Sequence, residues 1–522
     1  MFLFSLIVAC GAAQYQPPAL WPWPQRVAFL QADVSINAAS FAISTTPQSA
    51  VDGVLTRAMQ RYAGLLFRDQ ADQLPFPSAT PVLPGVRVTV LQIVPLQQDA
   101  DESYHLHVPV DGSPANLTAN TVWGALHGFE TLAQLIRVNG AQAAAAGATI
   151  ADYPRFAFRG MLHDTARHFL PVPTLLKLID AMAMNKLNVF HWHITDDQSF
   201  PFVSTTFPNL ARDGAFAYPS HAYQVADVQR VVDYARDRGV RVMPEFDSPG
   251  HSTSWGAAFP NLLTNCYDGN GQPNGETGPL NVIENSTYQF VAKLFQEVTA
   301  RFNETLVHIG GDEVPFGCWQ SNPKIQAFMK AQGWTDYSKL ESMYVGRVLQ
   351  DIAQSASHKI PVVWQEVFDN GVKISPQTVV DVWKNHPLSW QFELAEVTYY
   401  GQRAILSAPW YLNYEDDEYS TNDIWTYYAV EPTAFLGTAA MKRLLIGGEA
   451  CMWGEWTDAT NTIPRTWPRA SPVAERLWSA VDITDVDFAA ARLQSWTCRM
   501  IVRGIAAQPS DGPSFCPVEW TS

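Results

Sequence analysis

Two adjacent carboxylates, Asp312 and Glu313, have the sequence setting in this chain that most favours catalysis. They follow Gly310 and Gly311 at the end of a short apolar run, residues 306–310, which is typical of a buried strand. Cleavage of a glycosidic bond needs a carboxylic acid that protonates the leaving oxygen and a second group that attacks or stabilises the anomeric carbon. Successive strand residues point to opposite sides, so this pair is poorly placed to flank one bond. We expect one to be the acid and the other to have a different task.

Seven other apolar runs end in residue types that sugar-binding sites use. Indole faces pack against sugar C–H groups, and charged or amide groups hydrogen-bond hydroxyls. Tryptophan is as frequent here as tyrosine, with 18 of each. The residues at these ends are Asp164, Arg167, His191, Trp192, His193, Asp196, Asp197, Glu245, Asp247, His251, Trp364, Glu366, Trp383, Trp410, Tyr411, Asn413, Trp453 and Glu455.

The spacing of the apolar runs predicts the fold that would bring these ends together. Most runs are followed by a helical segment, and eight such units match a (β/α)8 barrel, whose active sites lie at the C-terminal strand ends. A doubly wound sheet is the competing α/β arrangement. We place the catalytic barrel at residues 155–522. Its strands are predicted at 156–163, 187–194, 240–246, 306–310, 361–364, 378–383, 404–408 and 444–451.

A smaller α+β domain is predicted before the barrel, at residues 18–150. Apolar residues alternate with polar ones at 86–90 and 104–108, which indicates strands, and recur at helical spacing from Val122 to Ile136. We expect an antiparallel sheet covered by that helix. The alanine-rich stretch 140–150 is predicted to be a linker between the two domains.

Composition excludes several classes of protein. The chain has 34 Lys and Arg against 50 Asp and Glu, a formal net charge of −16, so nucleic acid is not an expected partner. With 47% hydrophobic and 16% charged residues it has enough apolar side chains for a large core.

The N-terminus predicts export. Residues 1–13 form a largely apolar run that ends in Gly11, Ala12 and Ala13, as a secretory signal peptide does, although the run lacks a Lys or Arg. A buried strand or a lipoprotein signal around Cys10 are the alternatives. No later run approaches the roughly 20 apolar residues that span a bilayer, so we expect a secretory-pathway protein without a membrane span. Three glycosylation sequons are consistent with this compartment, at Asn116, Asn285 and Asn303.

Five cysteines remain after removal of the predicted signal peptide. An odd number predicts two disulfides and one free thiol. We pair Cys266 with Cys318 and Cys498 with Cys516, which leaves Cys451 free inside an apolar strand. No C-x-x-C pattern is present, so structural zinc is not expected.

His191 and His193 offer an alternative function, because two histidines on a barrel strand resemble the metal pair of amidohydrolases. The remaining ligands of such a centre, a third histidine and an aspartate, are not found at suitable places. We therefore expect no metal or other cofactor, and assign these histidines a structural role.

Seven ordered motifs are similar to those of family 20 glycoside hydrolases, and most closely to the lysosomal β-N-acetylhexosaminidases of animals. The similarity runs from about Leu20 to the C-terminus and includes Asp101 to Tyr104 in the first domain. The motifs are RGMLHDTARHFL (159–170), NKLNVFHWHITDD (185–197), PEFDSPGH (244–251), HIGGDEV (308–314), VWQEVFDN (363–370), SAPWYLN (407–413) and GGEACMWGE (447–455).

This resemblance implies an exo-acting, retaining enzyme that removes terminal β-linked GlcNAc or GalNAc, with the substrate's own acetamido oxygen as nucleophile. Glu313 would be the general acid and then the base, and Asp312 would orient and stabilise the acetamido group, which explains why the two carboxylates are adjacent. The family also implies a homodimer. A sugar-binding protein without activity is the alternative, but it would have no need for both carboxylates.

The resemblance assigns the remaining site residues. Tyr411 would hydrogen-bond the acetamido oxygen, Trp364 and Trp383 would wall its pocket, and Trp453 would stack on the sugar ring. His251 would support Glu313. The sugar hydroxyls would be held by Arg167, Asp196 and Glu455, with Asn413 near the 6-position.

One departure from the family bears on the substrate. One animal subunit type has Asn-Arg here and accepts 6-sulfated sugars, whereas this chain has Asn413 and Tyr414, followed by the acidic run 415–418. Negative charge repels anions, so we expect a preference for neutral sugars. The natural glycan, the choice between GlcNAc and GalNAc, and a lysosomal or extracellular destination are left open by the sequence.

Overall fold

The computed structural model describes residues 17–68, 81–140, 142–385, 389–413, 422–510 and 515–516. The predicted signal peptide, Tyr414 and the acidic run 415–418 lie outside the described residues, and so does Cys10.

The N-terminal domain is a seven-stranded sheet with two helices. The strand order is β1-β7-β4-β5-β3-β2, with β6 paired to β7. The strands are β1 (Arg26–Ile36), β2 (Ala42–Thr45), β3 (Gly85–Val90), β4 (Tyr104–Val108), β5 (Ala115–Ala119), β6 (Ile136–Asn139) and β7 (Gln142–Asp152), and the helices are α1 (Gly53–Leu65) and α2 (Val122–Leu135).

Two features of this domain differ from the sequence analysis. The sheet is mixed, because β3 pairs in parallel with both β2 and β5; α1 supplies the crossover that the parallel β2–β3 pair requires. The predicted linker at 140–150 is wrong, because this stretch forms β7, an interior strand that pairs with β1, β4 and β6. Both faces of β7 are largely buried, so it lacks the polar and apolar alternation that reveals a strand.

The second domain is a closed barrel of eight parallel strands, in the order β10-β13-β14-β15-β16-β17-β8-β9. Each of the eight predicted strands is present, which confirms the predicted fold class, and β11 and β12 form a separate hairpin. In chain order the strands are β8 (Phe158–Asp164), β9 (Val189–Thr195), β10 (Arg241–Phe246), β11 (Leu263–Tyr267), β12 (Pro273–Leu280), β13 (Leu306–His308), β14 (Ile360–Trp364), β15 (Val379–Val382), β16 (Arg403–Leu406) and β17 (Leu445–Met452).

Helices surround the barrel and connect its strands. The short α11 follows β14 directly, and α3 and α5 connect β8 to β9 and β9 to β10. The helices are α3 (Val172–Met184), α4 (Asn209–Gly214), α5 (Val225–Arg236), α6 (Thr253–Ala258), α7 (Asn285–Arg301), α8 (Gly317–Ser321), α9 (Pro323–Gln332), α10 (Ser338–Ser355), α11 (Gln365–Asp369), α12 (Trp390–Tyr399), α13 (Asn422–Ala429), α14 (Ala439–Lys442), α15 (Thr462–Thr466), α16 (Ala470–Trp478) and α17 (Val486–Val502).

A layer of apolar side chains fills the barrel interior below the strand ends. Seven strands each contribute one buried residue, so this part of the barrel is a packed core. The layer consists of Phe158, Val189, Met243, Leu306, Val362, Val379 and Ile405.

Buried ion pairs connect the two domains. Both terminal nitrogens of Arg159 donate to the Glu102 carboxylate, at 3.0 and 2.7 Å. Lys186 Nζ donates to Asp152 Oδ2 at 2.8 Å. Because all four groups are buried, loss of one partner would leave an uncompensated charge at the domain boundary.

Two disulfides join Cys266 to Cys318 and Cys498 to Cys516, the pairs named from the sequence, and Cys451 is a buried free thiol. Among the described helices, none combines the length and the apolar character needed to cross a membrane. The three sequon asparagines, Asn116, Asn285 and Asn303, are all exposed.

Candidate active site

The carboxylates at 312 and 313 lie on a turn that leaves the barrel strand two residues earlier than predicted. Strand β13 ends at His308, and the backbone then has positive φ at Gly310 (72°), Gly311 (98°) and Glu313 (46°). A Cβ at residue 310 would lie 1.6 Å from Asp247 Oδ1, so only glycine fits there. The alternation of strand side chains therefore does not apply to Asp312 and Glu313, and the expectation that they point to opposite sides was based on the wrong local structure.

The two carboxylates differ in exposure and share one histidine. The Glu313 side chain is 58% exposed and that of Asp312 is 11% exposed. His251 Nε2 lies 3.6 Å from Asp312 Oδ2 and 3.6 Å from Glu313 Oε2. Its other nitrogen, Nδ1, is 3.2 Å from Oδ1 of the buried Asp196. Glu313 is thus the more accessible carboxylate, and Asp312 is recessed beside it.

Burial and neighbouring charges set the protonation states of His251 and the carboxylates around it. Burial opposes a charge on the imidazole, but the carboxylates of Asp312, Asp196 and Glu313 outweigh burial and raise the pKa of His251 well above its usual value. The hydrogen bond and charge of His251 in turn lower the pKa of Glu313, against the opposing effect of partial burial. Burial and the neighbouring Asp312 raise the pKa of Asp247 well above its usual value. In the free protein, Glu313 therefore favours its ionised form and His251 its protonated form.

Three carboxylates hold the guanidinium of Arg167. Its guanidinium is 3.0 Å from Asp164 Oδ2, 2.9 Å from Asp196 Oδ2 and 4.0 Å from Glu455 Oε1. It also lies over the ring of Trp453, at 5.1 Å from the centroid. Asp196 is thus shared between Arg167 and His251, so the structure brings these predicted ligands together.

Four aromatic side chains form a box next to the carboxylates. The ring of Trp383 stacks on Tyr411 at 6.0 Å and 24°, and meets Trp364 edge-on at 6.4 Å and 72°. Trp453 lies 6.0 Å from Trp364 and 6.4 Å from Tyr411. Leu162 and Cys451 pack in the same cluster. The box is therefore apolar on most sides, and suits a small group such as a methyl.

Two tryptophan N–H groups in this box donate hydrogen bonds to carboxylates to which the sequence analysis gave no role. Trp364 Nε1 donates to Glu245 Oε1 at 2.8 Å, and Trp383 Nε1 donates to Glu366 Oε2 at 2.7 Å. Lys384 Nζ is 2.6 Å from Glu366 Oε1. The sequence analysis named both glutamates among the polar residues at the strand ends. No pattern in the sequence indicated that they accept hydrogen bonds from tryptophan side chains.

His191 and His193, which the sequence analysis compared with the metal pair of amidohydrolases, belong to a buried network around Glu245. His193 Nδ1 lies 2.6 Å from Glu245 Oε2, and His193 Nε2 lies 2.9 Å from Asp196 Oδ2. His191 Nδ1 is 2.9 Å from Glu449 Oε1, and its Nε2 is 3.1 Å from Glu245 Oε2. Burial opposes charge on these imidazoles, but the carboxylates outweigh it and raise the pKa of His191 to about 10 and of His193 to about 9.

Two trios of this network have ligand atoms close enough for a metal ion. They are His191, Glu245 and His308, and His191, Asp381 and Glu449, with ligand atoms within 4.8 Å of one another. Glu245 is already hydrogen-bonded to Trp364 and His193. Hydrogen bonds from Trp364 to Glu245, between Glu245 and His193, and between His193 and Asp196 link the indole of Trp364 to Asp196.

Asn413 lies at the edge of the described chain, two residues after Tyr411. Its Oδ1 is buried and has no hydrogen-bond partner within the described residues. Tyr411 is buried, and burial raises the pKa of its hydroxyl well above the usual value, so it is a neutral hydrogen-bond donor. All eleven residues assigned from the sequence thus lie at the C-terminal end of the barrel, where the strands present them together.

Comparison with known proteins assigns this barrel and site to a family. The model of glycosyl hydrolase family 20, catalytic domain, matches residues 156–481, and that of the β-acetyl hexosaminidase-like domain matches residues 20–135. The chain therefore belongs to glycosyl hydrolase family 20, and it is a glycoside hydrolase.

Relatives cover nearly the whole chain. β-Hexosaminidase subunit alpha of Mus musculus is 45% identical over 97% of this chain and 96% of its own length. β-Hexosaminidase subunit beta of Homo sapiens is 47% identical over 94% of this chain and 88% of its own length. Among solved structures, the chitobiase of Flavobacterium johnsoniae superposes with a TM-score of 0.81 at 28% identity, covering 94% of this chain and 74% of that one.

Proposed function

We propose that this enzyme is an exo-acting β-N-acetylhexosaminidase that removes terminal β-linked GlcNAc or GalNAc by a retaining, substrate-assisted mechanism. The observation that supports this proposal is the recessed Asp312 beside an accessible Glu313, next to a closed aromatic box. Retaining enzymes with a protein nucleophile hold their two carboxyl groups about 5–5.5 Å apart across the bond. In this proposal the second carboxylate, Asp312, would instead contact an acetamido group that lies in the box.

In the first step, Glu313 as the acid gives its proton to the glycosidic oxygen while the bond to the anomeric carbon breaks. The acetamido oxygen forms the new bond to that carbon, and the alcohol leaves. Asp312 accepts a hydrogen bond from the acetamido N–H and balances the positive charge of the resulting oxazolinium ring. Tyr411 donates a hydrogen bond to the acetamido oxygen, keeps its proton, and holds that oxygen below the sugar ring.

In the second step, Glu313 as the base takes a proton from water, whose oxygen attacks the anomeric carbon and reopens the ring. The acetamido group is restored and the configuration is retained. His251 would hold Glu313 in place through both steps, since its Nε2 lies 3.6 Å from each carboxylate. Trp364 and Trp383 would enclose the acetamido methyl group.

Arg167, Asp196 and Glu455 would bind the hydroxyls of the terminal sugar. Asp196 and Arg167 are fixed by each other, so their fork is preorganised for a hydroxyl that accepts from one and donates to the other. Trp453 would stack on the sugar ring and Asn413 would contact the 6-position. We further propose a neutral substrate, a homodimer, and a secretory-pathway location, lysosomal or extracellular, with glycans at Asn116, Asn285 and Asn303.

A series of substrates with increasingly fluorinated acetamido groups tests the mechanism. Fluorine withdraws electrons from the acetamido oxygen, so kcat should fall steeply from N-acetyl to N-trifluoroacetyl nitrophenyl glycosides. Glu313→Gln should be slow with all of them, and a plain β-glucoside should not be cleaved. A flat series, or equal activity on the plain glucoside, would indicate an enzyme nucleophile and contradict the proposal. No activity on any substrate, with sugar binding retained, would indicate a sugar-binding protein instead.

The charge preference has its own test in Tyr414→Arg. If the missing arginine disfavours anions, this variant should raise kcat/KM for the 6-sulfated nitrophenyl N-acetylglucosaminide relative to the neutral one. An unchanged ratio would show that residue 414 does not set this preference.

A further inference from the structure

A cavity of about 210 Å3 lies between the two domains, on the side of the barrel opposite the catalytic residues. Helices α1 and α2 line it from the N-terminal domain. From the barrel it is lined by α3, by the loop that leads into β10 and by the residues that follow α17. None of the proposed catalytic or sugar-binding residues reaches it, so its chemistry is independent of the glycosidase site.

The cavity is positively charged although the chain as a whole is strongly acidic. Counted over the residues that the structure describes, its lining has two more arginines than carboxylates, against a net charge of −16 for the chain. Burial lowers the pKa of His127, also in the lining, so this imidazole adds no charge. The charged lining residues are Arg61, Arg68, Arg238, Arg503, Glu130 and Asp180.

Both carboxylates of the lining are already neutralised. Arg503 Nη1 donates to both Glu130 oxygens at 2.8 Å, and Tyr62 donates to Oε2 of the same carboxylate at 3.1 Å. Arg238 pairs with Asp180. The remaining positive charge belongs to Arg61 and Arg68.

Arg61 is the group that most needs a counterion. Its guanidinium donates to the backbone oxygen of Asp237 at 3.1 Å, and no carboxylate within the described residues forms an ion pair with it. Burial and the nearby Arg238 disfavour its charge and lower the pKa of Arg61. Arg61 is partly buried, so its charge is less well solvated than in water, and an anion in the cavity would offset that loss.

We propose that this interdomain arginine cavity binds a tetrahedral oxyanion, such as sulfate or phosphate, with Arg61 and Arg68 as its main donors. Guanidinium groups bind such ions through paired N–H donors. At roughly 30 Å3 per water molecule, the cavity has the volume of about seven waters, so an ion of five heavy atoms fits. Because the ion would contact helix α1 and the barrel side together, it would fasten one domain to the other.

Sulfate binding to the full chain tests this proposal, by calorimetry and by thermal unfolding at constant ionic strength set with sodium chloride. Sulfate also stabilises proteins in general through exclusion from their surface, so the signal is a rise in Tm that saturates. Wild type should show it, and Arg61→Gln should lose it. Arg212→Gln is the control, because Arg212 is an exposed arginine that pairs with Asp213 outside the cavity. This control should keep the saturable rise.

Two further arms complete the design. Sulfate and glucose 6-sulfate share the oxyanion, so tighter binding of the ester that Arg61→Gln abolishes would identify a sugar sulfate as ligand of this cavity, and tighter binding of inorganic sulfate the free ion. If Arg61→Gln does not fold, the exposed Arg68→Gln replaces it in the same comparison. The absence of binding heat with wild type, or an equal saturable rise in the cavity and control variants, would overturn the proposal.

Discussion

Replacing Gly310 with alanine should damage both folding and activity, more than the same change at Gly333. The two glycines have nearly the same φ, 72° and 69°, so alanine pays the same left-handed strain at either place, about 1–2 kcal/mol. At Gly333 the new Cβ meets no atom within 4 Å. At Gly310 it would lie 1.6 Å from Asp247 Oδ1 and 2.7 Å from Asp247 Cα. Overpacking of this kind adds about 1–3 kcal/mol.

The clash also predicts a loss of catalysis. Asp247 Oδ1 accepts the backbone N–H of Gly311 at 2.9 Å, and this bond fixes the turn that carries Asp312 and Glu313. Displacing Asp247 would move both carboxylates relative to His251. A misplacement of about 1 Å can cost roughly a hundredfold in rate, so we expect kcat of Gly310→Ala to fall by that order.

The assay is urea unfolding of the two alanine variants, together with kcat on the nitrophenyl N-acetyl-β-glucosaminide. Gly333→Ala should lose about 1–2 kcal/mol of stability and keep wild-type kcat. Gly310→Ala should lose about 2–5 kcal/mol in total and most of its kcat. Equal losses of stability in the two variants, with kcat unchanged in both, would refute the argument that Asp247 excludes a side chain at residue 310.

Three further predictions use other parts of the structure. Glu313→Gln should lower kcat by about a hundredfold to ten-thousandfold. The loss of kcat should be smaller for a substrate with a dinitrophenyl leaving group, because that group needs little protonation. An equal loss for good and poor leaving groups would contradict the acid role. His251→Gln should move the alkaline limb of the pH profile of kcat/KM to higher pH. His251 lowers the pKa of Glu313, so its removal should let that pKa rise. An unmoved limb would show that His251 does not control the protonation of Glu313. Arg159→Met should cost about 3–5 kcal/mol of stability, since it leaves the buried Glu102 without its partner. Arg212→Met breaks an exposed pair and should leave stability almost unchanged; similar unfolding midpoints for the two variants would contradict a coupling role for the buried pair.

The barrel could be predicted because its strands are short, apolar and regularly followed by helices. Both faces of each strand are buried in such a barrel, which gives continuous apolar runs, and the polar residues begin where each strand ends. Trp364 and Trp383 illustrate this, since each stands at or just beyond the last residue of its strand. The same burial concealed β7, because a run of small alanines gives neither alternation nor bulk.

Contacts between distant segments were beyond the reach of the sequence. Trp364 is hydrogen-bonded to Glu245, 119 positions away along the chain. Asp196 contacts both Arg167, 29 positions away, and His251, 55 positions away. No local pattern records such pairs. The turn at Gly310 was also missed, because two glycines after an apolar run indicate flexibility without stating that the strand has ended.

The lowered pKa of Glu313 in the free protein is at first sight opposed to its proposed role as an acid. The carboxyl group is 58% exposed, however, and a sugar ring packed against Trp453 would displace the water around it. Desolvation disfavours the ionised carboxylate and raises its pKa, so substrate binding itself would favour the protonated form that the first step requires. Asp312 is already recessed, so a bound sugar would change its surroundings less. On this argument the difference in exposure between two adjacent carboxylates, and not their spacing along the chain, makes one of them the acid.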